Sequence, residues 1–235
     1  MNRRARRCAL TLSLAALTAA ALLPLNSRAA GPDPGAMRGG ARGARQDLRS
    51  VLSLEPNREH GREVFRLCET CHGAAQTGLP AGWVPEIAGQ HPRVIAKQLV
   101  DFRRGLRSDV RMEIVAGRHG LKSLRDIADV AAYAGALNPI PASTRGGGVS
   151  AERGRTIYEA QCARCHGKAA EGSNTRFVPR LAGQDYQYLL RQLHDAIDGR
   201  RPSLAAAHAK ALKPLDEAVL EGLAEYASRP RPHAE

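Results

Sequence analysis

Six residues, Cys162-Ala163-Arg164-Cys165-His166-Gly167, limit this chain more than any other stretch, and Cys68-Glu69-Thr70-Cys71-His72-Gly73 repeats their pattern. A C-x-x-C-H run reads as an attachment site for haem c. The spacing follows from the chemistry. Two thiols on one incipient helical turn can each form a thioether to a haem vinyl group. The histidine directly after the second cysteine then falls beneath the ring, where its imidazole can bind iron. Cys68, Cys71, Cys162 and Cys165 are therefore the expected tethers of two covalently bound haem c groups, with His72 and His166 as proximal iron ligands. Four of the five cysteines are used in this way. The fifth, Cys8, lies in a segment expected to be removed, which leaves no thiol for a disulfide, a zinc site or a nucleophile. A redox dithiol or half of a zinc site would account for either cysteine pair alone, but not for the histidine that follows both.

The likeness of the two stretches extends well beyond the hexads, and a long internal repeat decides architecture before any local signal does. At an offset of 94 positions, Val84-Pro85-Glu86-Ile87-Ala88-Gly89-Gln90 maps onto Val178-Pro179-Arg180-Leu181-Ala182-Gly183-Gln184. Gln98-Leu99 maps onto Gln192-Leu193, and Gly105-Leu106-Arg107 onto Gly199-Arg200-Arg201. Each copy ends in a helical pattern carrying a tyrosine, Tyr133 or Tyr226. The periodicity predicts helices over 64–71, 92–104 and 124–137, and over 151–165, 184–197 and 215–227. No alternating pattern of useful length predicts a strand. The fold expected is all-α, with domains at 55–140 and 150–230 joined by a Pro- and Gly-rich linker at 141–149.

Ahead of the repeats, residues 1–29 have the form of an export signal: four arginines, an apolar run from Cys8 to Leu25, then small residues before a cut after Ala29. Were it uncleaved, the apolar run would anchor the chain to a membrane. Residues 30–54, rich in Gly and Arg, are expected to be a flexible arm. Removal of the leader takes five arginines and no acid, leaving 30 basic residues against 23 acidic, a net charge of about +7 instead of +12. Excess positive charge suits an acidic protein partner. Nucleic-acid binding is not expected, since no recognition motif is present and aromatics make up only 4% of the chain.

C-x-x-C-H-G, then P-x-[IL]-A-G-Q, then Q-L with a Gly-x-Arg end and a closing helix with Tyr, all present twice, resembles the dihaem cytochromes c of the cytochrome c4 type. The likeness covers roughly residues 55–230. It implies two class I cytochrome c domains in tandem, each wrapped around one haem. It also implies that the carbonyls of Pro85 and Pro179 accept the imidazole N–H of the proximal histidines, a bond that fixes the ring and raises its basicity. The resemblance further implies a methionine as sixth iron ligand. In the first copy Met112 is available, with His119 as a local rival. The second copy has no methionine after Cys162, and His208 stands at the family's spacing. The expected ligand sets are His72 with Met112 and His166 with His208. His194, an external ligand and an open site remain alternatives for the second haem.

These features imply a periplasmic electron carrier, not an enzyme, that passes single electrons among redox proteins: a quinol-oxidising complex, a dehydrogenase or a terminal oxidase. An electron-transfer subunit of a larger oxidoreductase is the alternative, and an open second haem would instead suit a peroxidase or gas binder. The basic run from Arg103 to Arg111 is a candidate docking surface.

Overall fold

A computed structural model describes residues 34–73, 82–139, 146–148, 151–204 and 206–230. The expected export signal and much of the expected linker lie outside them. The described residues are helical apart from turns and one isolated bridge between Ser173 and Val178.

Among the described residues ten α-helices follow in order: α1 (Pro34–Leu52), α2 (Arg58–His72), α3 (Pro92–Arg103), α4 (Val110–Ala116) and α5 (Leu124–Ala136), then α6 (Ala151–Ile157), α7 (Ala163–His166), α8 (Tyr186–Ile197), α9 (Ala206–Leu212) and α10 (Glu217–Ser228). Their starts are written in the sequence. Asn57, Asp109, Asp185 and Asp216 each cap the helix they precede by accepting backbone N–H bonds, and Ser123 with Asp126 forms a reciprocal capping box on α5. Pro92 opens α3, where a missing N–H costs nothing.

Two apolar clusters form. One gathers Phe65, Leu99, Leu121, Ile127 and Val130 from the first repeat, and the other Tyr158, Leu189, Leu220 and Leu223 from the second. In each repeat the helix that enters the hexad crosses the closing helix: α2 crosses α5, and α6 crosses α10. A glycine sits at each crossing. A Cβ on Gly61 would stand 2.2 Å from the carbonyl oxygen of Asp129, and one on Gly154 would stand 2.0 Å from the backbone of Gly222. Above each crossing an aromatic pair packs, Phe65 on Tyr133 at 5.3 Å and Tyr158 on Tyr226 at 5.2 Å.

These equivalences show what the single offset conceals. Gly61 and Gly154, Phe65 and Tyr158, and Tyr133 and Tyr226 are each 93 positions apart, whereas the hexads are 94 apart. The second repeat therefore holds one extra residue between its aromatic anchor and its first cysteine. A π-helical turn over Tyr158–Cys162 takes it up, because a wider i→i+5 turn absorbs one residue without breaking the helix. The buried Tyr158 hydroxyl donates to the carbonyl of Gly167 at 2.8 Å, tying this turn to the end of the hexad.

One expectation is overturned. Most of the segment expected as a flexible arm is helix α1, which packs on α3 and α5. Ala44, Asp47 and Val51 are buried there, and Arg104 grips Asp47 with two bonds of 2.7 and 2.8 Å. Glycine makes this a poor helix in isolation, but tertiary packing outweighs propensity.

Candidate haem sites

In each repeat the hexad closes a helix. His72 ends α2 and is 8% exposed; its Nδ1 donates to the carbonyl of Pro85 at 2.9 Å. His166 ends α7, and its Nδ1 donates to the carbonyl of Pro179 at 3.2 Å. Both bonds were expected from the resemblance. They fix one tautomer, with Nε2 left as the lone-pair donor. Burial lowers the His72 pKa even though the Pro85 bond opposes it, and burial likewise pushes His166 down to about 4, against the Pro179 bond and with His208 adding to the shift. Both rings are thus neutral near pH 7, the form that binds a metal. Burial, and then the neighbouring cysteine, pushes the thiols of Cys68 and Cys162 up to about 11.

Opposite His72, a cavity in the first repeat is lined by Cys68, Cys71, His72, Pro85 and Met112. Met112 is the third residue of α4 and packs half-buried against the first core. Asp109 positions that helix: its carboxylate accepts from the backbone N–H of Arg111 and Met112 at 3.1 and 3.4 Å and pairs with the Arg111 guanidinium at 2.8 Å. Burial alone would raise the Asp109 pKa, but these donors outweigh it and hold it below the usual carboxylate value. The rival His119 is exposed in the turn after α4 and does not line the cavity.

In the second repeat the exposed His208 is the third residue of α9, so it occupies the helical position that Met112 has in α4. The two extra residues between Gly199 and His208, compared with Gly105 and Met112, lie in the loop before α9. The His208 and His166 ring centroids are 6.1 Å apart with planes at 80°. Two imidazoles that shared one metal from opposite sides, with bonds of about 2.0 Å and about 1.1 Å from nitrogen to ring centre, would have centroids about 6.2 Å apart. The rival His194 is turned to the surface, where its Nε2 meets Glu217 at 3.1 Å.

The fit to haem c is therefore good in both repeats: paired thiols, a tautomer-fixed imidazole beside them, and a candidate further ligand, Met112 lining the same cavity as His72 and His208 edge-on to the His166 ring. Bound haem would supply one-electron iron chemistry. The chain's part is to fix the ligands, exclude water and set the surrounding charge.

Sequence reasoning did not recognise the residues that join the two repeats. The Gln90 side chain donates to the carbonyl of Arg180 at 2.9 Å and accepts its N–H at 2.9 Å. Gln184 does the same to Glu86, at 2.8 Å for each bond. Glu86 and Arg180 are themselves equivalent positions, so the contact is a reciprocal clasp. The repeated Ala-Gly-Gln was its signal. The basic run is also not the free docking surface expected of it: Arg103 donates to the carbonyl of Leu121, Arg104 holds Asp47, Arg107 is buried between the repeats, and Arg111 pairs with Asp109.

Two closing-helix cores, each with a histidine-terminated entering helix, define the class I cytochrome c fold. The family model for cytochrome c matches residues 151–225. A thiosulfate dehydrogenase electron acceptor of Stutzerimonas stutzeri (strain A1501) is 33% identical over 202 residues, covering 75% of this chain and 88% of that protein. Cytochrome c4 of Pseudomonas aeruginosa (strain PAO1) is 33% identical over 150 residues, covering 60% and 71%. The fold matches the crystal structure of reduced cytochrome c4 from Pseudomonas stutzeri with a TM-score of 0.65 at 24% identity, over 75% of this chain and 100% of that one. The chain belongs to the dihaem cytochromes c of the c4 type. It carries covalently bound haem c and transfers electrons between redox partners.

Proposed function

We propose that this protein is a periplasmic carrier in which electrons enter at a bis-histidine haem and leave from a histidine–methionine haem. Cys68 and Cys71 would tether the first haem, with His72 and Met112 as its iron ligands, within a domain at 55–140. Cys162 and Cys165 would tether the second, with His166 and His208 as its iron ligands, within a domain at 150–230. The observation that carries this is the 6.1 Å separation of the His166 and His208 rings, together with the shared third position of Met112 and His208 in their helices. Thioether sulfur favours ferrous iron and so raises the potential, whereas a second imidazole favours ferric. Transfer from the second haem to the first is then downhill. With both axial positions filled, no coordination site is open to substrate, which favours electron transfer over peroxidase chemistry. Among the described residues no helix is long and apolar enough to cross a membrane.

Two relatives are named thiosulfate dehydrogenase electron acceptors. A dehydrogenase acting on a sulfur compound is accordingly the first donor to try. A potentiometric titration should resolve two one-electron waves, the lower belonging to the haem without a methionine–iron band. Two equal waves would remove the internal gradient.

Asp109 gives a separate check on Met112. A carboxylate whose pKa falls on folding stabilises the fold above its ordinary value, and that contribution is lost as pH drops through the lowered value. The cap on α4 should therefore survive to below the usual carboxylate range. Asp109→Ala should remove it at every pH, at a cost of about 1 kcal/mol, and lower the temperature at which the far-red methionine–iron band melts. An unchanged melting temperature would separate the cap from the ligand.

A further inference from the structure

Both hexads end a helix, but the second is held there by two side chains that the first repeat lacks. Each carbonyl from Ala163 to Gly167 accepts a bond. Backbone supplies two of them: the N–H of Gly167 donates to Ala163 at 2.8 Å, and that of Gly172 to His166 at 2.8 Å. Side chains reach the other three. The Arg176 guanidinium donates from Nη2 to the Cys165 carbonyl at 3.0 Å and from Nη1 to the Arg164 carbonyl at 3.5 Å. The Tyr158 hydroxyl donates to the Gly167 carbonyl at 2.8 Å. The last carbonyls of a helix have no partner within it and form the negative end of its dipole, so a guanidinium suits them. In the first repeat Phe65 stands in place of Tyr158 and Gly82 in place of Arg176, and neither side chain has a donor.

The second hexad has more need of support. Helix α7 has four residues and follows the π turn, whereas α2 runs unbroken for fifteen residues into His72. So short a helix holds its own shape weakly. The charge of Arg176 also reaches the ligand. Burial does most to keep a proton off His166, and the charges of His208 and Arg176 add to it. A field that repels a proton there also repels the extra positive charge of ferric iron. We propose that Tyr158 and Arg176 are positioning residues for the second haem: they fix the hexad so that the His166 ring keeps its plane against His208, and Arg176 also raises that haem's potential. The proposal rests on the reading of two haems with His166 and His208 on the second iron. It makes the second haem a better electron acceptor than its ligands alone would make it.

The test uses holoprotein with haem counted per chain, comparing wild type, Tyr158→Phe, Arg176→Gln and Arg176→Lys. Tyr158→Phe installs the side chain that the first repeat already uses against its own closing tyrosine. The bis-histidine signal in electron paramagnetic resonance should move in this variant, while the histidine–methionine band of the first haem stays. Arg176→Gln should make the second haem about twofold easier to oxidise, and because Arg176 is exposed the shift should shrink as salt is raised. Arg176→Lys keeps the charge but not the fork, so its midpoint should stay with wild type while its resonance signal moves. Should Arg176→Gln fail to load haem, the resonance signal of Arg176→Lys decides. An unmoved signal in Tyr158→Phe or Arg176→Lys, or an unchanged second midpoint at low salt in an Arg176→Gln protein with two haems, overturns the proposal. A wild type with fewer than two haems, or without a bis-histidine signal, would instead overturn the reading on which it rests.

Discussion

Gly154→Ala is expected to destabilise the fold by about 3 kcal/mol or more and to leave most chains without a stable second haem. Overpacking a tight core costs about 1–3 kcal/mol where side chains can shift. At this crossing the added methyl would meet backbone of Gly222 and Leu223 at 2.0–2.5 Å, and no flexible side-chain end is there to move. The helices must separate, and Tyr158 then loses its packing on Tyr226 and its bond to Gly167. Gly61→Ala should act likewise in the first repeat. Gly147→Ala is the control, because a Cβ there meets nothing within 4 Å. Thermal unfolding of the three holoproteins, with haem counted per chain, checks this. A Gly154→Ala protein that melts with wild type and carries two haems would show that the crossing is looser than described.

The second large effect is expected at the other end of the same repeat. His208→Met should raise the midpoint of the second haem by more than about 59 mV, over tenfold in its equilibrium constant, and bring it close to that of the first. The reason lies in the helical position. Because His208 and Met112 are each the third residue of a seven-residue helix, a methionine at 208 is placed as the first repeat places its own. His208→Ala should instead open the iron, so that carbon monoxide binds the second haem of the reduced protein quickly and stoichiometrically. Spectroelectrochemistry of His208→Met and flash photolysis of His208→Ala read these outcomes. An unchanged midpoint with no carbon monoxide binding would place another ligand, such as His194, on the iron.

Much of this was legible because covalent haem chemistry constrains the residues closely. The thiol pairs and proximal histidines are adjacent in the chain, and the family resemblance supplied the prolines that orient them, so the structure could be anticipated at His72–Pro85 and His166–Pro179. The expected helices appeared because each carries an apolar face or an acidic or hydroxyl cap. Three features were not legible. Helix α1 is glycine-rich and gains its stability from packing on α3 and α5, which no local pattern reveals. Helices α4 and α9 have seven residues each, too few for a periodic signal, and yet they set the positions of Met112 and His208. The π turn changes the register by one residue, and a single offset of 94 hides it. Arg107 was misread for another reason: charge on a loop suggests solvent, and only the joining of the repeats buries it.

The account turns on the second haem's axial ligands, and low-temperature electron paramagnetic resonance with near-infrared magnetic circular dichroism of the oxidised protein reports them directly. It predicts two low-spin haems in equal amounts. One should show a histidine–methionine charge-transfer band. The other should show a bis-histidine band, with the strongly anisotropic signal of imidazole planes near the 80° seen between His166 and His208, and that signal should vanish in His208→Ala. A high-spin second haem, or methionine bands from both, would contradict it.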